Sequence, residues 1–281
     1  MCFNKESAKK VLITGSSGFV GSFLLLFLRK EGYLVQPFTK ESCEEGCYAV
    51  IHLAGESLSK GCWTKKKKEE ILRSRVEGTE ELTRFLSKLQ NPPKVFISAS
   101  AVGYYGDSEK QLTEESNAGS GFLATVCQKW EKAALFLEKA EVRVVLARFG
   151  YILSSRGGML KALLPIFRLG LGGKMGSGLQ FVPWVALEDV ARSFCHILTE
   201  ESVNGPVNIV SPNPVTQEYF AKTLAHFVKR PAFFAIPKWM LLGEKAKSLL
   251  LPSLKVLPVK LQKTGFVFRF STLEKVLEFN L

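Results

Sequence analysis

Short apolar runs alternate with longer segments of helical periodicity through the first half of the chain. The predicted strands are 10–14, 33–38, 49–53, 94–98 and 142–147, and the predicted helices are 19–31, 65–90 and 120–140. Strands that are apolar throughout and alternate with helices are typical of a parallel sheet covered on both faces. The pattern therefore predicts an α/β fold built on a doubly wound parallel sheet.

The pattern changes after Gly150, where residues 155–178 become rich in glycine and prolines later break the chain into short elements. The elements predicted in this half are helices at 159–169 and 188–199 and a strand at 206–210. We therefore expect a first domain over 1–150, to which 180–210 returns, and a small C-terminal lobe over 151–281 that binds substrate.

A glycine-rich segment joins the first predicted strand to the first predicted helix. Its residues are Gly15, Ser16, Ser17, Gly18, Phe19, Val20 and Gly21. Strand, glycine turn and helix in this order form the unit that holds the pyrophosphate of a dinucleotide. Gly15 permits the tight turn, Gly18 lets the backbone approach the phosphates, and Gly21 lets the helix pack closely on the strand. The helix N-terminus offers unpaired N–H groups to the anion.

The end of the second predicted strand bears on the choice of dinucleotide. Enzymes that use NAD usually carry an acid there, which binds the ribose 2′-hydroxyl. This strand instead ends in Thr39 and Lys40, a hydroxyl and a cation that suit a 2′-phosphate. We therefore predict NADP(H) as the cofactor. Two alternatives stay open: Lys40 as a solvated loop lysine, and Glu41 as the acid that reaches the ribose.

The formal net charge of the 281 residues is +12, and Lys65–Lys68 form one basic cluster. An excess of basic over acidic residues can indicate nucleic acid binding. The chain, however, shows no nucleic-acid-binding motif, and its aromatic residues do not alternate with the lysines of this cluster. We expect no nucleic acid partner, and the charge suits an anionic cofactor or substrate.

Hydrophobic residues make up 46% of the chain, yet no apolar run approaches the roughly 20 residues that span a bilayer. The N-terminus shows no secretory pattern, so we expect a cytoplasmic protein with no membrane partner. Its cysteines are Cys2, Cys43, Cys47, Cys62, Cys127 and Cys195. Since a second close pair does not follow Cys43 and Cys47, no metal site is predicted and reduced thiols are expected.

Motifs along the whole chain resemble those of one protein family. They include GSSGFVG (15–21), IHLAGE (51–56), SRVEGT (74–79), ISASAVGYYGD (97–107), FLATVCQKWE (122–131), FRLGLGGKMGSGLQFVPW (167–184), GPVNIVSPNPVT (205–216) and VLPVKLQKTGF (256–266). With these motifs the chain resembles the extended branch of the short-chain dehydrogenase/reductase superfamily, and within it the atypical "epimerase family" proteins. The resemblance implies a Rossmann domain that binds NADP(H) and a small C-terminal lobe.

The resemblance also implies which residues bind the cofactor. Besides the glycine segment they are Thr39, Lys40, Leu53, Ala54, Gly55, Glu70, Arg75, Ser98 and Ile152. Arg75 has a rationale of its own, because an arginine in the cofactor cleft can pair with phosphate through two hydrogen bonds. The alternative for Arg75 is an ordinary surface residue of its helix.

The usual chemistry of the superfamily needs a Tyr-x-x-x-Lys pair, whose tyrosine transfers the proton during hydride transfer. Alignment on Glu131 places Leu123 and Cys127 at those two positions, and neither side chain can perform the task. Ser100 remains near the serine position, and Tyr105 is the candidate for a substitute acid. Packing of Tyr105 with its neighbour Tyr104 is the alternative.

Substrate contacts are expected from Gln180, Phe181 and Trp184, which combine a hydrogen-bonding amide with flat apolar walls. Arg168 and Lys174 add positive charge nearby, which favours an anionic ligand. Two functions stay open at this point. The first is an NADP(H)-dependent oxidoreductase or epimerase-like enzyme acting on a small carbonyl or hydroxyl substrate, and the second is a non-catalytic NADP(H)-binding sensor or regulatory protein. The resemblance is also compatible with a homodimer formed through helices 65–90 and 120–140.

Overall fold

The computed structural model describes residues 8–44, 46–58, 61–232, 234–236 and 243–281. Cys2 lies outside the described residues. The strands are β1 (Lys10–Thr14), β2 (Leu34–Pro37), β3 (Ala49–His52), β4 (Val95–Ala101), β5 (Ser108–Leu112), β6 (Arg143–Phe149), β7 (Tyr151–Ser154), β8 (Gly173–Met175), β9 (Phe181–Val182), β10 (Trp184–Ala186), β11 (Gly205–Ile209), β12 (Val215–Thr216), β13 (Phe234–Ile236) and β14 (Leu254–Val256).

The helices occupy the intervals between these strands. They are α1 (Phe19–Lys30), α2 (Lys40–Glu44), α3 (Lys65–Leu86), α4 (Phe122–Ala134), α5 (Gly158–Arg168), α6 (Leu187–Thr199), α7 (Gln217–Phe227), α8 (Glu244–Leu250), α9 (Val259–Lys263) and α10 (Leu273–Asn280). Short 3₁₀ helices cover Val102–Tyr105 and Leu135–Ala140.

The central sheet has the strand order β2-β1-β3-β4-β6-β11, and every neighbouring pair in it is parallel. Successive residues of β1 point to opposite faces, so Val11 and Ile13 join one core while Leu12 joins the other. The first core packs the sheet against α1 and α6, and the second packs it against α3 and α4. The predicted doubly wound parallel sheet is therefore confirmed.

The boundaries of several elements differ from those that the periodicity predicts. The helix predicted over 120–140 is α-helical only to Ala134 and continues as a 3₁₀ helix. The helix predicted over 65–90 ends at Leu86, and the strand predicted at 94–98 extends to Ala101. Since β4 lies between β3 and β6, its longer backbone finds hydrogen-bonding partners that a local pattern does not reveal.

The C-terminal half contains a core of its own, formed by α5, α7 and α10 around β7 and β10. Trp184 lies in this core with no exposed surface. The strand β11 lies beside β6 in the central sheet, and α6 packs on that sheet. In the part of the chain that the structure describes, no helix combines the length and apolarity needed to cross a membrane.

Candidate functional site

The crevice between β1 and β3 lies at the point where the order of strands reverses. The chain runs from β1 outward to β2, and then returns to β3 on the other side of β1. In open parallel sheets, ligands bind at the carboxyl ends of the strands beside this switch point. The segments that follow β1, β2 and β3 therefore define the candidate site.

The glycine turn after β1 is packed too tightly for side chains at two positions. Gly15 has φ of +67°, and a Cβ there would lie 2.9 Å from the backbone of Leu53 and Ala54. A Cβ on Gly21 would lie 2.2 Å from the Gly15 carbonyl oxygen. The Gly18 N–H donates to that same oxygen at 3.0 Å and closes the turn. The first turn of α1 therefore packs directly against the end of β1.

The N-terminus of α1 opens towards the crevice. Its N-cap residue Gly18 has no side chain to satisfy the first N–H groups, and the first turn contains no acidic residue. Ser17 and Gly18 are exposed, whereas Ser16, Phe19 and Val20 are half-buried. Free N–H groups and a positive helix end form an anion site, and the missing Cβ atoms leave room for a phosphate to approach the backbone. These residues fit a dinucleotide pyrophosphate.

His52 links the two strands that border the crevice. Its Nδ1 lies 2.7 Å from the Thr14 hydroxyl, which accepts hydrogen bonds from the backbone N–H groups of Leu53 and Ala54. Because the Thr79 hydroxyl donates to the Arg75 carbonyl oxygen, it accepts from Nε2 of His52 at 3.0 Å, which leaves Nδ1 to accept from the Thr14 hydroxyl. Burial lowers the pKa of His52 to about 4. As expected for a packed histidine, His52 is neutral and occupied by structural hydrogen bonds.

The residues assigned to the 2′-phosphate follow β2 directly. Thr39 and Lys40 are both exposed. The Thr39 hydroxyl accepts from the Ser42 N–H and lies 3.0 Å from the Ser42 hydroxyl, so it is held in one orientation. The Lys40 ammonium lies 5.7 Å from the ring centroid of Phe85. A hydroxyl and a cation thus stand side by side at the edge of the crevice.

Arg75 is buried on α3 and reaches across to the segment after β3. Its Nη1 donates to the Glu56 carbonyl oxygen at 2.9 Å. A Cβ on Gly55 would lie 3.4 Å from the Arg75 guanidinium carbon. The guanidinium also lies 5.1 Å from the ring of Trp130, whose buried Nε1 has no hydrogen-bond partner among the described residues. The structure therefore excludes the alternative that Arg75 is a surface residue.

Glu70 lies five residues before Arg75 on α3 and is half-buried. Its carboxylate lies 3.5 Å from the Lys67 ammonium, which is also 2.6 Å from the Glu56 carboxylate. This ion-pair cluster connects α3 to the segment after β3. Arg75 and Lys67 thus both connect α3, which carries the predicted cofactor residues, to Glu56 in the segment after β3.

Ser100 belongs to a buried polar network that the sequence did not predict. Its hydroxyl donates to the Glu131 carboxylate at 2.6 Å. Arg148 holds both oxygens of that carboxylate at 2.8 Å and also donates to the Tyr105 hydroxyl at 2.9 Å. The Tyr105 hydroxyl in turn donates to the Asn208 side chain at 2.7 Å. A charged residue in the apolar run of β6 was the signal that Arg148 has a buried partner.

This network corrects the assignment of Tyr105 as a substitute acid. Only 2% of Tyr105 is exposed, and its hydroxyl is fully engaged by Arg148 and Asn208. Burial raises its pKa to about 12, although the Arg148 charge opposes the shift. A buried phenol with that pKa is a poor proton donor to a ligand in the crevice. Its hydroxyl connects β6 to β11 instead.

The positions of the missing catalytic pair hold a half-buried leucine and a buried cysteine. A Cβ on Gly103 would lie 3.3 Å from Cβ of Leu123, and Leu123 packs against the cluster of Trp63, Ile71 and Val126. Cys127 is buried, and burial followed by the Glu131 charge raises its pKa to about 12. Cys127 is therefore a neutral thiol, so neither position supplies a proton relay.

Leu249 belongs to α8, which covers this apolar cluster. The Tyr151 hydroxyl donates to the Leu249 carbonyl oxygen. At its other end α8 is held by an ion pair between Lys68 and Glu244 and by a hydrogen bond from Lys245 to the Gly61 carbonyl oxygen at 3.0 Å. The helix α8 of the C-terminal half thus packs on the same apolar cluster as Leu123, which occupies the tyrosine position of the superfamily.

The residues predicted to contact substrate have different surroundings. Trp184 is fully buried, and its indole N–H donates to the Asn213 carbonyl oxygen, so the assignment of Trp184 as a substrate wall is wrong. The Gln180 amide donates to the Met175 carbonyl oxygen at 2.9 Å. Phe181 is half-buried.

Several other predicted residues surround this site. Leu53 and Ala54 follow β3, Ser98 lies within β4, and Ile152 lies in β7. Ser98 is buried, and its hydroxyl donates to the Ala99 carbonyl oxygen at 3.3 Å. Ile152 packs at the margin of the core that contains α1 and α6. These positions are compatible with apolar and backbone contacts to a ligand.

The doubly wound sheet and the glycine turn at its switch point define an α/β protein of the NAD(P)-binding class. Residues 38–210 match the NAD dependent epimerase/dehydratase family, and residues 235–279 match a domain of unknown function. The chain belongs to the NAD dependent epimerase/dehydratase family. The expected family resemblance is thereby confirmed.

Relatives align over nearly the whole chain. An epimerase family protein of Mycobacterium leprae is 34% identical over 96% of this chain and 94% of its own. The chloroplastic SDR39U1 homolog of Arabidopsis thaliana is 33% identical over 97% of this chain and 87% of its own.

The crystal structure of human epimerase family protein SDR39U1 with NADPH has a TM-score of 0.88 and 31% identity. That match covers 96% of this chain and 98% of the human chain. The nucleoside-diphosphate sugar epimerase from Corynebacterium glutamicum has a TM-score of 0.82 and 31% identity, and the match covers 98% of this chain and 58% of that one.

Proposed function

We propose that this protein binds NADP(H) and transfers a hydride between the nicotinamide and a small carbonyl or hydroxyl compound. The observation that carries the proposal is the glycine turn at the switch point, whose packing excludes side chains at Gly15 and Gly21 and whose N-cap has none, together with the basic segment that follows β2. The human relative whose structure was determined with NADPH supports the same cofactor.

Selection of NADP(H) rests on Thr39 and Lys40. A 2′-phosphate carries negative charge and several acceptor oxygens, so it gains a hydrogen bond from the hydroxyl and charge pairing from the ammonium. Glu41, the nearest acid along the chain, is exposed. Binding of the 2′-phosphate by Lys40 therefore distinguishes the two dinucleotides.

Bound NADP(H) supplies a hydride donor or acceptor, and the protein's own residues bind and orient it. The glycine turn and α1 hold the pyrophosphate, and Arg75 fixes the segment after β3. The protein supplies no tyrosine acid at position 123, because Leu123 occupies it. Lys255, whose ammonium lies 5.3 Å from the Phe181 ring, favours a substrate with a negative charge.

A second candidate function is a sensor or regulatory protein that binds NADP(H) without turnover. The observation that favours it is the replacement or burial of the residues at the usual catalytic positions. Ser100 is 2% exposed and donates to Glu131, while Leu123 packs on an apolar cluster and Cys127 is a buried neutral thiol. A protein with this arrangement retains the cofactor crevice without the usual proton relay.

A fluorescence titration of the purified protein with NADPH and NADH tests the cofactor. We expect saturable binding of NADPH at lower concentrations than NADH, and equal affinities would overturn the role of Lys40. A panel of small carbonyl compounds, with and without a carboxylate or phosphate, then tests turnover by the loss of NADPH absorbance. Oxidation of NADPH by a member of the panel supports the oxidoreductase. The sensor function is supported if NADPH binds tightly and no deuteride is transferred from C4-deuterated NADPH to any compound of the panel.

A further inference from the structure

Cys43 and Cys47 form a close pair of thiols beside the residues that we assign to the 2′-phosphate. Their sulfur atoms lie 3.8 Å apart. Cys43 is on α2, the helix that begins at Lys40, and Cys47 follows the turn that ends this helix. The residues between them include Gly46, whose φ of +91° turns the chain back towards α2.

This pair differs from the other described cysteines. Burial is the main cause that raises the pKa of Cys127 and of Cys195 to about 12. The pKa of Cys43 is instead lowered, first because the Cys47 thiol donates a hydrogen bond to its thiolate and further because of the Lys10 charge, while the same hydrogen bond and burial raise the pKa of Cys47. Cys62 is exposed. Among the described thiols, only Cys43 and Cys47 have sulfurs in contact with each other.

The accessibility of the two sulfurs differs in a way that suits a two-step oxidation. Cys43 is 1% exposed and packs in the core beneath α3, whereas Cys47 is half-buried at the edge of that core. A small oxidant such as hydrogen peroxide can reach such a pair, while a bulky reagent is excluded from Cys43. The neighbouring thiol is then already in place to resolve the oxidised one.

We propose that Cys43 and Cys47 form a reversible disulfide, and that its formation weakens NADP(H) binding at Thr39 and Lys40. The disulfide itself is independent of the function proposed above, and its coupling to affinity rests on that function. The site is thus an oxidation site that couples the redox state of the protein to its cofactor.

The chemistry needs hydrogen peroxide as the oxidant. The Cys43 thiolate attacks one peroxide oxygen, the O–O bond breaks, and the departing oxygen leaves as water after taking up a proton. The Cys43 sulfenic acid is then attacked by the Cys47 sulfur, which forms the S–S bond and releases the second oxygen as water. Two thiols lose two electrons and two protons, and one peroxide becomes two waters. A dithiol such as dithiothreitol reverses the oxidation by exchange.

The coupling follows from how little chain separates the pair from Lys40. A disulfide shortens the distance between the sulfurs from 3.8 Å to about 2.05 Å. The helix α2 has only 5 residues, and its start is fixed by reciprocal hydrogen bonds between Thr39 and Ser42. Movement of Cys43 is therefore transmitted to Ser42 and from there to the Thr39 hydroxyl.

The test compares the reduced full-length protein with the protein treated with equimolar hydrogen peroxide. After alkylation of free thiols, we expect the proteolytic peptide that contains both cysteines to lose two hydrogens and to escape alkylation. We expect the Kd for NADPH to rise about tenfold and dithiothreitol to restore it. By linkage, saturating NADPH should make the pair harder to oxidise, and a tenfold effect corresponds to about 30 mV in its reduction potential.

Cys47→Ser is the main variant, because its side chain is half-buried and serine is close in size. Its Kd for NADPH should not respond to peroxide, and Cys43→Ala should behave alike. Cys62→Ser, which removes an exposed cysteine elsewhere, is the matched control and should respond as the parent protein does.

Each half of the proposal has its own contrary result. A peptide that gains oxygen on one cysteine without linking the two overturns the disulfide. A disulfide that forms while the Kd for NADPH stays the same overturns the coupling. Failure of both the reduced and the oxidised protein to bind NADPH overturns the function proposed above and the coupling with it, whereas the mass of the peptide still decides the disulfide.

Discussion

The Thr14 hydroxyl lies 2.7 Å from Nδ1 of His52, and this hydrogen bond joins the two strands that border the cofactor crevice. The same hydroxyl accepts from the backbone N–H groups of Leu53 and Ala54. His52 continues the chain of hydrogen bonds to Thr79, on the helix that carries Arg75. Through these hydrogen bonds His52, at the end of β3, connects the start of the following segment to β1 on one side and to α3 on the other.

The stability of the fold should depend on the protonation of His52. Burial lowers the pKa of His52 from 6.5 to about 4 in the folded protein, and the unfolded chain has the ordinary value. Between these pH values the unfolded state binds more protons than the folded state. The contribution of neutral His52 to the free energy of unfolding is therefore complete above pH 6.5 and is lost as the pH falls towards 4. We expect the free energy of unfolding to decrease by about 3 kcal/mol over this interval on account of His52.

Urea unfolding at a series of pH values measures this effect, and His52→Gln is the comparison. The variant retains hydrogen-bonding groups but does not titrate, so it should show a shallower loss of stability below pH 6.5. The difference between the two curves separates the effect of His52 from that of Glu188 and Asp189. The raised pKa values of these two carboxyls favour the folded state as the pH falls, which is opposite to the effect of His52. Identical pH dependence in both proteins would contradict the assignment of a buried neutral imidazole.

The central sheet and the glycine turn are the parts that the sequence predicts well. The apolar strands are buried on both faces, so their runs are continuous, and glycines at 15, 18 and 21 report a local backbone requirement. Element ends are less predictable. The predicted helix 120–140 becomes a 3₁₀ helix at Leu135 although its apolar periodicity continues, because packing of the last turn on the sheet overrides the local preference.

The candidate site is predicted less completely, since its chemistry depends on contacts between distant residues. Trp184 and Tyr105 carry groups suited to a ligand, but tertiary partners far along the chain take up both. The ion pair between Arg148 and Glu131 joins residues on β6 and α4, and Ser100 donates to it from β4. Only a charged residue within an apolar run hints at such a pair, and it does not identify the partner.

Gly15→Ala should abolish NADPH binding and destabilise the protein. The new methyl would lie 2.9 Å from the backbone of Leu53 and Ala54, and φ of +67° is strained for alanine. We expect a loss of about 1–3 kcal/mol from the strain, with the clash adding to it. Urea unfolding and an NADPH titration measure the two effects.

Gly32→Ala is the matched control for the glycine turn. It has φ of +90° but nothing within 4 Å of the place that a methyl group would take, so it suffers the strain without the clash. It should lose some stability and keep the parent affinity for NADPH. If both variants bound NADPH equally well, the close packing of Gly15 on the segment after β3 would have no part in forming the site.

Lys40→Asp should reverse the preference between the two dinucleotides. Replacing the ammonium by a carboxylate removes the charge pairing with a 2′-phosphate and offers an acceptor to a 2′-hydroxyl. Because a hydrogen bond to a charged group contributes about 1.5–3 kcal/mol, we expect the affinity for NADPH to fall about tenfold to a hundredfold. The affinity for NADH should stay the same or rise.

Lys30→Asp makes the same change of charge at the far end of α1 and serves as the control. A fluorescence titration of both variants with both dinucleotides separates a local effect from a general loss of positive charge. An equal loss of NADPH affinity in the two variants would indicate that the net charge of the protein, rather than Lys40, attracts the cofactor.

Tyr105→Phe should destabilise the protein without affecting any turnover of NADPH. The phenol hydroxyl accepts from Arg148 and donates to Asn208 in a buried network, so its removal takes one acceptor from Arg148 and the donor from the Asn208 side-chain oxygen, at a cost of about 1–3 kcal/mol. Tyr104→Phe is the matched control. Its ring lies 3.6 Å from the Arg148 guanidinium and is retained in the variant, so stability should change by less than about 0.5 kcal/mol.

Urea unfolding and the rate of NADPH oxidation per bound cofactor measure these two properties of the Tyr105→Phe variant. A loss of turnover in Tyr105→Phe at unchanged stability would restore Tyr105 as the proton donor. A loss of stability at unchanged turnover places its hydroxyl in the framework that joins β6 to β11.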